Sequence, residues 1–247
     1  MDERTIAIGD IHGDLAHALT LWERLPVLTA NDTVVFLGDY VDRGADSRGV
    51  IEFIRSLPAR TPARVVALMG NHEQILLDAY EGRNSEPLWP PSNGVMATYL
   101  SFTGEAFEGS EQQFERMLDV KRWLPTDVYE WMKALPLWYE DERAIYVHAG
   151  LEGENEVWFH PTKSQETSLL WMREDDFWRG YTGKRLVFGH TVTSYLPLDH
   201  LSWLDKVFDD KRDVWFRGDL IGIDTGCGKG GFLSAVELPS LAVYESR

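Results

Sequence analysis

The sequence predicts an α/β fold in which a mostly parallel β-sheet is followed along the chain by a second, partly antiparallel sheet. Short apolar, β-branched runs alternate with helical patterns over about the first 80 residues. This alternation is typical of a parallel sheet with right-handed crossovers. Three strand-like runs near the C-terminus are joined by short turns, which indicates antiparallel pairing.

Two βαβ units are predicted in the N-terminal third of the chain. The predicted strands are residues 5–9, 33–37 and 65–69, and the helices between them are residues 15–25 and 47–57. The first helix carries apolar side chains at helical spacing, at Leu15, Ala18, Leu19, Trp22 and Leu25. Another helix is predicted from Glu73 to Tyr80, after the third strand.

Residues 81–142 differ in character from the segment before them. A proline-rich stretch at 86–91 predicts a rigid turn, and helical patterns follow at 95–102, 111–118 and 126–134. We interpret the segment as a mostly helical insertion that shapes a cleft beside the ends of the strands. The alternative is a helical layer that packs on the sheet without lining a cleft.

The remainder of the chain returns to β-structure. Residues 144–147, 186–188, 220–224, 232–237 and 241–245 are the strand candidates. No linker is long enough to require a second domain, so we predict one domain over residues 1–247.

Composition excludes several classes of protein. An apolar fraction of 44% is sufficient for a large core, and the formal charge of −16 disfavours nucleic acid as a partner. Cys227 is the only cysteine, so no intramolecular disulfide can form. No signal-peptide pattern or run of ~18 apolar residues is present, so we expect a cytoplasmic protein without a membrane partner. The oligomeric state is left open.

Five short motifs rich in Asp, Asn and His follow predicted strands. They are Gly9-Asp10-Ile11-His12-Gly13, Gly38-Asp39-Tyr40-Val41-Asp42-Arg43-Gly44, Gly70-Asn71-His72-Glu73, His148-Ala149-Gly150 and Gly189-His190. Strand ends are where open α/β sheets place their ligands, so these side chains can converge on one point.

The motif side chains are suited to two divalent ions ~3.5–4 Å apart. Asp10 and His12 have i, i+2 spacing at a strand end, so both can enter one site. Asp39 follows the middle strand and is the natural bridging carboxylate. Asn71, His148 and His190 then supply the second ion. Carboxylate with imidazole suits Mn, Fe or Zn better than Ca, and we expect Mn²⁺ with Fe or Zn as alternatives.

These motifs resemble those of the metallophosphoesterase, or calcineurin-like, superfamily. The form of residues 38–44, together with Asn71-His72-Glu73, is similar to the PPP-type serine/threonine protein phosphatases, and residues 222–226 resemble a late segment of bacterial members. The resemblance extends from residue 9 to about residue 190. It implies two mixed β-sheets packed as a sandwich and flanked by helices, with a dinuclear metal site at the C-terminal ends of the strands.

The resemblance also implies a role for each site residue. Asp10, His12 and Asp39 would hold one ion, and Asp39, Asn71, His148 and His190 the other. His72 would be the general acid with Asp42 orienting it, and Arg43 and Arg173 would bind the phosphate. The implied reaction is in-line attack of a metal-bridging hydroxide on phosphorus, with His72 protonating the leaving group.

The expected function is hydrolysis of phosphomonoesters by a metal-dependent phosphatase, with phosphoserine and phosphothreonine in proteins as the leading substrates. A small phosphoester is also an acceptable substrate for such a site. The alternative is a bis(5'-nucleosyl)-tetraphosphatase, whose metal motifs are nearly the same. The few cations of the insertion and the Asn-His-Glu ending of the third motif favour the monoester. A catalytically silent binding protein is a third class, and metal content and turnover would exclude it.

Two other patterns do not predict active sites. Residues 226–231 match GxGxxG, but a strand follows where a dinucleotide loop requires a helix. A cysteine-dependent phosphatase would need an arginine six residues after Cys227, and that position is Leu233. His17, His160 and His200 lie outside every motif, and we interpret them as structural or surface residues.

Overall fold

The computed structural model describes residues 3–155, 157–197 and 212–247. The strands are β1 Thr5–Ile8, β2 Thr33–Phe36, β3 Arg64–Ala67, β4 Trp138–Glu140, β5 Ile145–Val147, β6 Gly153–Glu154, β7 Val157–Trp158, β8 Leu186–Phe188, β9 Trp215–Arg217, β10 Leu220–Gly222, β11 Ser234–Leu238 and β12 Val243–Glu245. The α-helices are α1 Leu15–Arg24, α2 Ser47–Ser56, α3 Asn71–Tyr80, α4 Val95–Thr103, α5 Glu111–Leu118, α6 Val120–Trp123, α7 Thr126–Lys133, α8 Glu166–Trp171 and α9 Asp175–Gly180.

Ten of the strands form two five-stranded mixed sheets. In the first, the order is β12-β11-β1-β2-β3, with β1, β2 and β3 parallel and β11 antiparallel to β1. In the second, the order is β4-β5-β8-β10-β9, with β5, β8 and β10 parallel and an antiparallel strand at each edge. The prediction of two mixed sheets is confirmed. The strands predicted at 232–237 and 241–245 were expected in the second sheet, and that assignment is wrong. As β11 and β12 they extend the first sheet, because β11 pairs antiparallel with β1.

Alternation of side chains along the strands packs the two sheets face to face. On β1, Ile6 and Ile8 join the core beneath helices α1 and α2, whereas Ala7 joins a core shared by both sheets. Tyr146 on β5 and Val187 on β8 reach that shared core from the second sheet. Because side chains of a strand point alternately to its two faces, each sheet buries one face on its partner and one under helices. The predicted sandwich flanked by helices is confirmed.

Helix α3 begins two residues earlier than the sequence predicts. It starts at Asn71, so the third motif forms the first helical turn instead of a loop. The carboxylate of Glu73 accepts the backbone N–H of Gly70 at 3.0 Å, which caps the helix at that point. This early start places Asn71 and His72 at a helix N-terminus that faces the strand ends.

The segment 81–142 is helical up to Lys133 and lies over the first sheet. Helix α4 packs against α2, and helices α6 and α7 pack against α3. The segment ends in strand β4 of the second sheet, which the sequence did not predict. Whether the segment shapes a substrate cleft stays a prediction. Among the described helices, none has the length and apolar character to span a bilayer.

Candidate dinuclear metal site

All six predicted metal ligands meet where the parallel strands of both sheets end. Asp10 and His12 follow β1, and Asp39 follows β2; Asn71 begins α3, His148 follows β5, and His190 follows β8. None of these six residues is more than 3% exposed. The site therefore lies at the junction of the two sheets, with ligand candidates from each.

Asp39 occupies the centre of the cluster. One of its oxygens, Oδ2, lies 3.5 Å from Nε2 of His12, which is in turn 3.9 Å from Oδ2 of Asp10. The other oxygen, Oδ1, lies 3.5 Å from Nε2 of His148. A carboxylate that presents one oxygen to each side is the arrangement that a bridging ligand requires.

Asn71 connects the two histidines on the far side of Asp39. Its Oδ1 lies 2.9 Å from Nε2 of His148 and 2.9 Å from Nδ1 of His190. The chain of short distances from Asp10 to His190 therefore passes through every predicted ligand. Asp39, His148 and His190 form a group that could hold one ion, because their ligand atoms all lie within 4.8 Å of one another.

The imidazoles are oriented for metal binding by their backbone partners. Nδ1 of His12 donates to the carbonyl of Val41 at 3.0 Å, and Nδ1 of His148 donates to Leu37 at 2.8 Å. Each bond leaves the lone pair of the ring on Nε2, which faces Arg43 in His12 and Asn71 in His148. The buried Nε2 of His190 has no hydrogen-bond partner among the described residues. Ring nitrogens with available lone pairs beside a carboxylate and an amide oxygen form a donor set that fits two divalent ions.

Charges within the cluster agree with that donor set. Burial lowers the pKa of His12, His148 and His190, which favours the neutral ring that binds a cation. Burial alone would raise the pKa of Asp39, but the surrounding imidazoles, led by His148, hold it well below its usual range. Burial also raises the pKa of Asp10, and the charge of Asp224 adds to the rise.

Backbone strain is concentrated in these loops. Seven described non-glycine residues have positive φ, and five of them are His12, Asp39, Asp42, Arg43 and His190, with φ between 48° and 73°. Side chains seldom adopt this left-handed region, and such strain clusters at functional sites. Gly189 allows a close approach in the same region. A Cβ at this position would overlap the Asp10 carboxylate, which accepts the backbone N–H of His190 at 3.0 Å.

Glu73 stabilises the strained loop after β2, a role that the sequence analysis missed. Its buried carboxylate accepts the backbone N–H groups of Asp39 and Tyr40, both at 2.8 Å, in addition to that of Gly70. Burial and the charge of Asp39 raise the pKa of Glu73 to about 8, and the backbone donors oppose this rise. The Gly-x-x-Glu spacing at the start of α3 was the available sequence signal.

His72 and Asp42 form a short, buried pair beside the cluster. Nδ1 of His72 lies 2.5 Å from Oδ2 of Asp42. Burial lowers the pKa of His72, but the charges of Asp39 and Asp42 outweigh it and the pKa is raised. Nε2 of His72 lies 3.9 Å from Oδ2 of Asp39, and His72 forms with His12 and Asp39 a group whose ligand atoms lie within 4.8 Å of one another. The geometry therefore admits both an acid and a metal ligand at this position.

The two predicted phosphate-binding arginines occupy different places. The guanidinium of Arg43 contacts the ring of His12, and its Nη2 lies 3.0 Å from Nε2 of His72. Arg173 follows α8 and is exposed. Burial and the charge of His148 lower the pKa of His190, and the charge of Arg173 lowers it further. Arg43 is thus inside the site and Arg173 at its edge.

The opposite oxygen of Asp42 is bound by a residue that the sequence did not indicate. Thr98 on α4 is fully buried and donates its hydroxyl to Oδ1 of Asp42 at 2.6 Å. Ser47, the first residue of α2, lies 3.0 Å from that hydroxyl. A single threonine in a helical stretch carries no local signal of such a contact.

The patterns that the sequence analysis set aside have structural roles here. Cys227 is buried, and burial raises the pKa of its thiol well above the usual range. Asp224 accepts the N–H of Gly226 at 2.9 Å and so supports the glycine-rich turn before β11. His17 and His160 contact Ser246 and Glu140 away from the cluster. His200 lies outside the described residues.

The chain matches one protein family and is similar in sequence to several known proteins. Residues 3–220 match the calcineurin-like phosphoesterase family. The chain is 25% identical to the symmetrical bis(5'-nucleosyl)-tetraphosphatase of Dechloromonas aromatica, over 98% of this chain and 95% of that protein. It is 29% identical to serine/threonine-protein phosphatase 1 of Salmonella typhimurium, over 63% of this chain and 76% of that protein.

Solved structures give the same fold. A crystal structure described as a candidate diadenosine tetraphosphatase superposes with a TM-score of 0.61 at 21% identity. The superposition covers 98% of this chain and 92% of the other. At this identity the likeness is evidence for the fold alone.

Proposed function

Because the chain belongs to the calcineurin-like phosphoesterase family, we propose that this metal-dependent phosphoesterase hydrolyses phosphomonoesters, chiefly phosphoserine and phosphothreonine in proteins. One observation carries the proposal, namely the short pair between His72 and Asp42 beside Arg43. An alkoxide is a poor leaving group and requires a proton donor. The terminal phosphate of a nucleotide leaves readily without one, so a dinucleoside polyphosphate has less need of this pair.

In this proposal the chain's own residues bind the phosphate and transfer a proton. Arg43 and Arg173 bind phosphate oxygens through paired N–H donors. In the structure Nη2 of Arg43 faces Nε2 of His72, so Arg43 must turn to the phosphate before that nitrogen carries a proton. His72 then donates the proton on Nε2 to the leaving oxygen, while Asp42 fixes the ring and stabilises its charged form. No phosphorylated side chain is formed.

The metals would be held by the six buried ligand candidates already described. Asp10, His12 and Asp39 would hold one ion. Asp39 would also hold the other ion, together with Asn71, His148 and His190. Bound divalent ions supply a water of lowered pKa as the nucleophile and neutralise phosphate charge. We propose Mn²⁺, although the same donors accept Fe or Zn.

The helical insertion offers a place for the substrate beyond its phosphate. An apolar cavity of about 430 Å³ lies between Trp89, Val95 and Phe107. Gly94, next to Val95 in the chain, accepts the backbone N–H of Arg43 at 3.2 Å, which connects one wall of the cavity to the loop that carries the arginine. Trp89 and Phe107 remain 55% and 69% exposed, which suits contact with a ligand. We propose that this cavity contacts residues flanking the phosphorylated side chain, in a cytoplasmic phosphoprotein.

Hydrolysis of a dinucleoside tetraphosphate is the second candidate. It is favoured by the near full-length match to the Dechloromonas aromatica enzyme, whereas the match to the Salmonella typhimurium phosphatase covers less of both chains. The aromatic cavity of the insertion could equally accept a nucleobase. The distinction therefore depends on the leaving group that the site accepts.

A direct comparison of two substrates tests the proposal. Phosphate release from a phosphothreonine peptide and cleavage of diadenosine tetraphosphate would be measured in Mn²⁺, with AMP, ADP and ATP resolved. We expect a kcat/KM at least about tenfold higher for the peptide, since the acid pair assists only the alkoxide. Fast release of nucleotides with a nearly inert peptide would overturn the proposal, and the nucleotide pair would identify the bond that is cut.

A further inference from the structure

The second oxygen of Asp42 is bound by a residue of the helical insertion. The carboxylate has no exposed surface and accepts two short bonds, from Nδ1 of His72 at 2.5 Å on Oδ2 and from the hydroxyl of Thr98 at 2.6 Å on Oδ1. Each oxygen of the carboxylate therefore has its own donor, and the two donors together define the plane in which the carboxylate lies.

The direction of each hydrogen bond follows from counting protons. Thr98 has one hydroxyl proton, and Oδ1 of Asp42 accepts it at 2.6 Å. The oxygen of Thr98 in turn accepts the backbone N–H of Asp42 at 2.8 Å and lies 3.0 Å from the hydroxyl of Ser47. The network is closed, with no polar group of Thr98 left unpaired.

We propose that Thr98 is a positioning residue for the acid step, acting through Asp42 to fix the orientation of His72. This inference rests on the proposed role of His72 as the general acid. If the Thr98 hydroxyl is removed, the Asp42 carboxylate keeps only one side-chain donor and can rotate about its Cβ–Cγ bond. The imidazole then loses the fixed direction of Nε2 toward the leaving oxygen, and its proton is delivered less efficiently.

Position 98 also connects the insertion to catalysis. Strand β2 and its loop supply Asp42, helix α3 supplies His72, and helix α4 of the insertion supplies Thr98. The same helix begins next to Gly94, which accepts the N–H of Arg43. The insertion therefore contacts Asp42 through α4 and the backbone of Arg43 through Gly94, which gives it a role in catalysis beyond covering the sheet.

Paired variants of the threonine test the inference. Thr98→Val keeps the shape of the side chain but removes the hydroxyl, and Thr98→Ser keeps the hydroxyl. Thr103→Val is the matched control, because Thr103 is on the same helix and donates to the carbonyl of Tyr99 at 2.9 Å, away from Asp42. Each protein is loaded with metal, checked for metal content and melting temperature, and assayed on an alkyl and an aryl phosphate.

The expected result is a selective loss that depends on the leaving group. In Thr98→Val, kcat on phosphothreonine peptide should fall roughly 10- to 100-fold, with a change under about threefold on p-nitrophenyl phosphate, which needs no acid. Thr98→Ser and Thr103→Val should stay within about threefold on both substrates. Equal losses of kcat on the two esters in a folded Thr98→Val protein would overturn the inference.

A double-mutant cycle separates this inference from the role of His72. If Thr98 acts through His72, adding Thr98→Val to His72→Asn should cause no further loss, whereas independent effects would multiply. If His72→Asn alone shows no dependence on the leaving group, the proposed acid role fails instead.

In that event the Nδ1 proton of His72, followed by NMR in the Zn-loaded protein, still tests the positioning role. Its downfield signal should be retained in Thr98→Ser and lost in Thr98→Val, and an unchanged signal in both would exclude it.

Should Thr98→Val fail to fold, Ser47→Ala provides a milder perturbation of the same network. It removes the hydroxyl that lies 3.0 Å from Thr98 and leaves the bond between Thr98 and Asp42 in place. A loss of a few-fold confined to the alkyl ester would support the inference. A loss shared equally by both esters would contradict it.

Discussion

His72 has two candidate roles at the residue scale, because its two ring nitrogens face different partners. Nδ1 is bound to Asp42, which leaves Nε2 near both Asp39 and Arg43. A metal ligand at this position would be needed for metal binding, whereas a proton donor would be needed only for a poor leaving group. Metal content and substrate dependence therefore separate the two roles.

We expect His72→Asn to retain both metals and to lose activity chiefly on alkyl esters. Because general acid catalysis contributes roughly 10²- to 10⁴-fold, kcat on a phosphothreonine peptide should fall by about that factor, and much less on p-nitrophenyl phosphate. Elemental analysis of the protein gives the metal count. His160→Asn, a substitution distant from the site, is the control. Loss of one metal ion would reassign His72 as a ligand.

Asp39 should behave in the opposite way, because its two oxygens face separate groups of ligands. We expect Asp39→Asn to weaken metal binding by roughly 100-fold or more, since even residues that only support ligands contribute 10- to 100-fold. Isothermal titration of the metal-free protein with Mn²⁺ measures this. Asp46→Asn is a suitable control, because asparagine can also cap helix α2. Full metal occupancy in Asp39→Asn would refute the bridging assignment.

Cys227 is buried, and its thiol pKa is raised, so it should take no part in the reaction. We expect less than about one labelled thiol per ten chains after brief treatment with a thiol reagent at pH 8, and full labelling in guanidinium chloride, since the reactive form is the thiolate. Cys227→Ser should retain kcat within about threefold, because a metal-assisted reaction needs no thiol nucleophile. Rapid labelling coupled to loss of activity would contradict this assignment.

At the scale of elements, the strands were the most predictable feature. Residues 186–188 and the first residues of β1, β2 and β10 agree with the sequence prediction, because these strands are buried on both faces and, after the threonine that begins β1 and β2, consist of apolar residues and glycine. Short strands β4, β6, β7 and β9 were missed. Each pairs at a sheet edge and carries partly exposed side chains, so no apolar run marks it.

Three α-helices of the insertion, α4, α5 and α7, were predicted at nearly the right bounds, whereas α6 and the contacts of all four were not predicted. The periodic pattern of residues 111–118 identifies α5, and that of residues 95–102 identifies most of α4. The same pattern does not show that Thr98 on α4 reaches Asp42, which lies 56 residues earlier in the chain. Local periodicity reports which face of a helix is buried and not which partner it meets.

The cavity of the insertion gives a prediction for this element. We expect Trp89→Ala and Phe107→Ala to raise KM for a phosphothreonine peptide roughly three- to tenfold with little change in kcat, since an aromatic contact is worth ~0.5–1.5 kcal/mol in both ground and transition state. Steady-state kinetics would measure both constants. Phe216→Ala, on edge strand β9, is the control for loss of an exposed ring. Unchanged KM in both variants would exclude the cavity as a substrate contact.

At the scale of the whole molecule, the net charge of −16 surrounds a site built to bind an anion. Divalent ions and Arg43 reverse the sign locally, while the outer field favours substrates with basic flanks. We expect kcat/KM for an arginine-flanked phosphopeptide to fall several-fold between about 0.05 and 0.5 M salt, as the Debye length shortens. The same phosphopeptide with glutamate flanks should be slower at low salt and gain from added salt. If kcat/KM depends on salt equally for the two peptides, the net charge of the protein does not contribute to substrate specificity.

The sequence by itself determined the residue types of the site and the strands that carry them. Five motifs at strand ends predict Asp, Asn and His near one another, and residues 3–220 match a phosphoesterase family. The motifs and the family match can be read from the local sequence, because a buried strand consists of consecutive apolar residues. The substrate is not determined in this way, since relatives named for different substrates are similarly identical to the chain, at 25% and 29%.

Only the tertiary structure decided how those residues are shared and supported. The second sheet supplies His148 and His190, and the backbone of His190 binds Asp10 from 180 residues away. Asp39 lies between the two groups of ligands, and Thr98 closes the network around Asp42. Contacts of this kind join side chains that are distant in the chain. Their geometry depends on how two sheets and a helical insertion pack, and no local spacing records it.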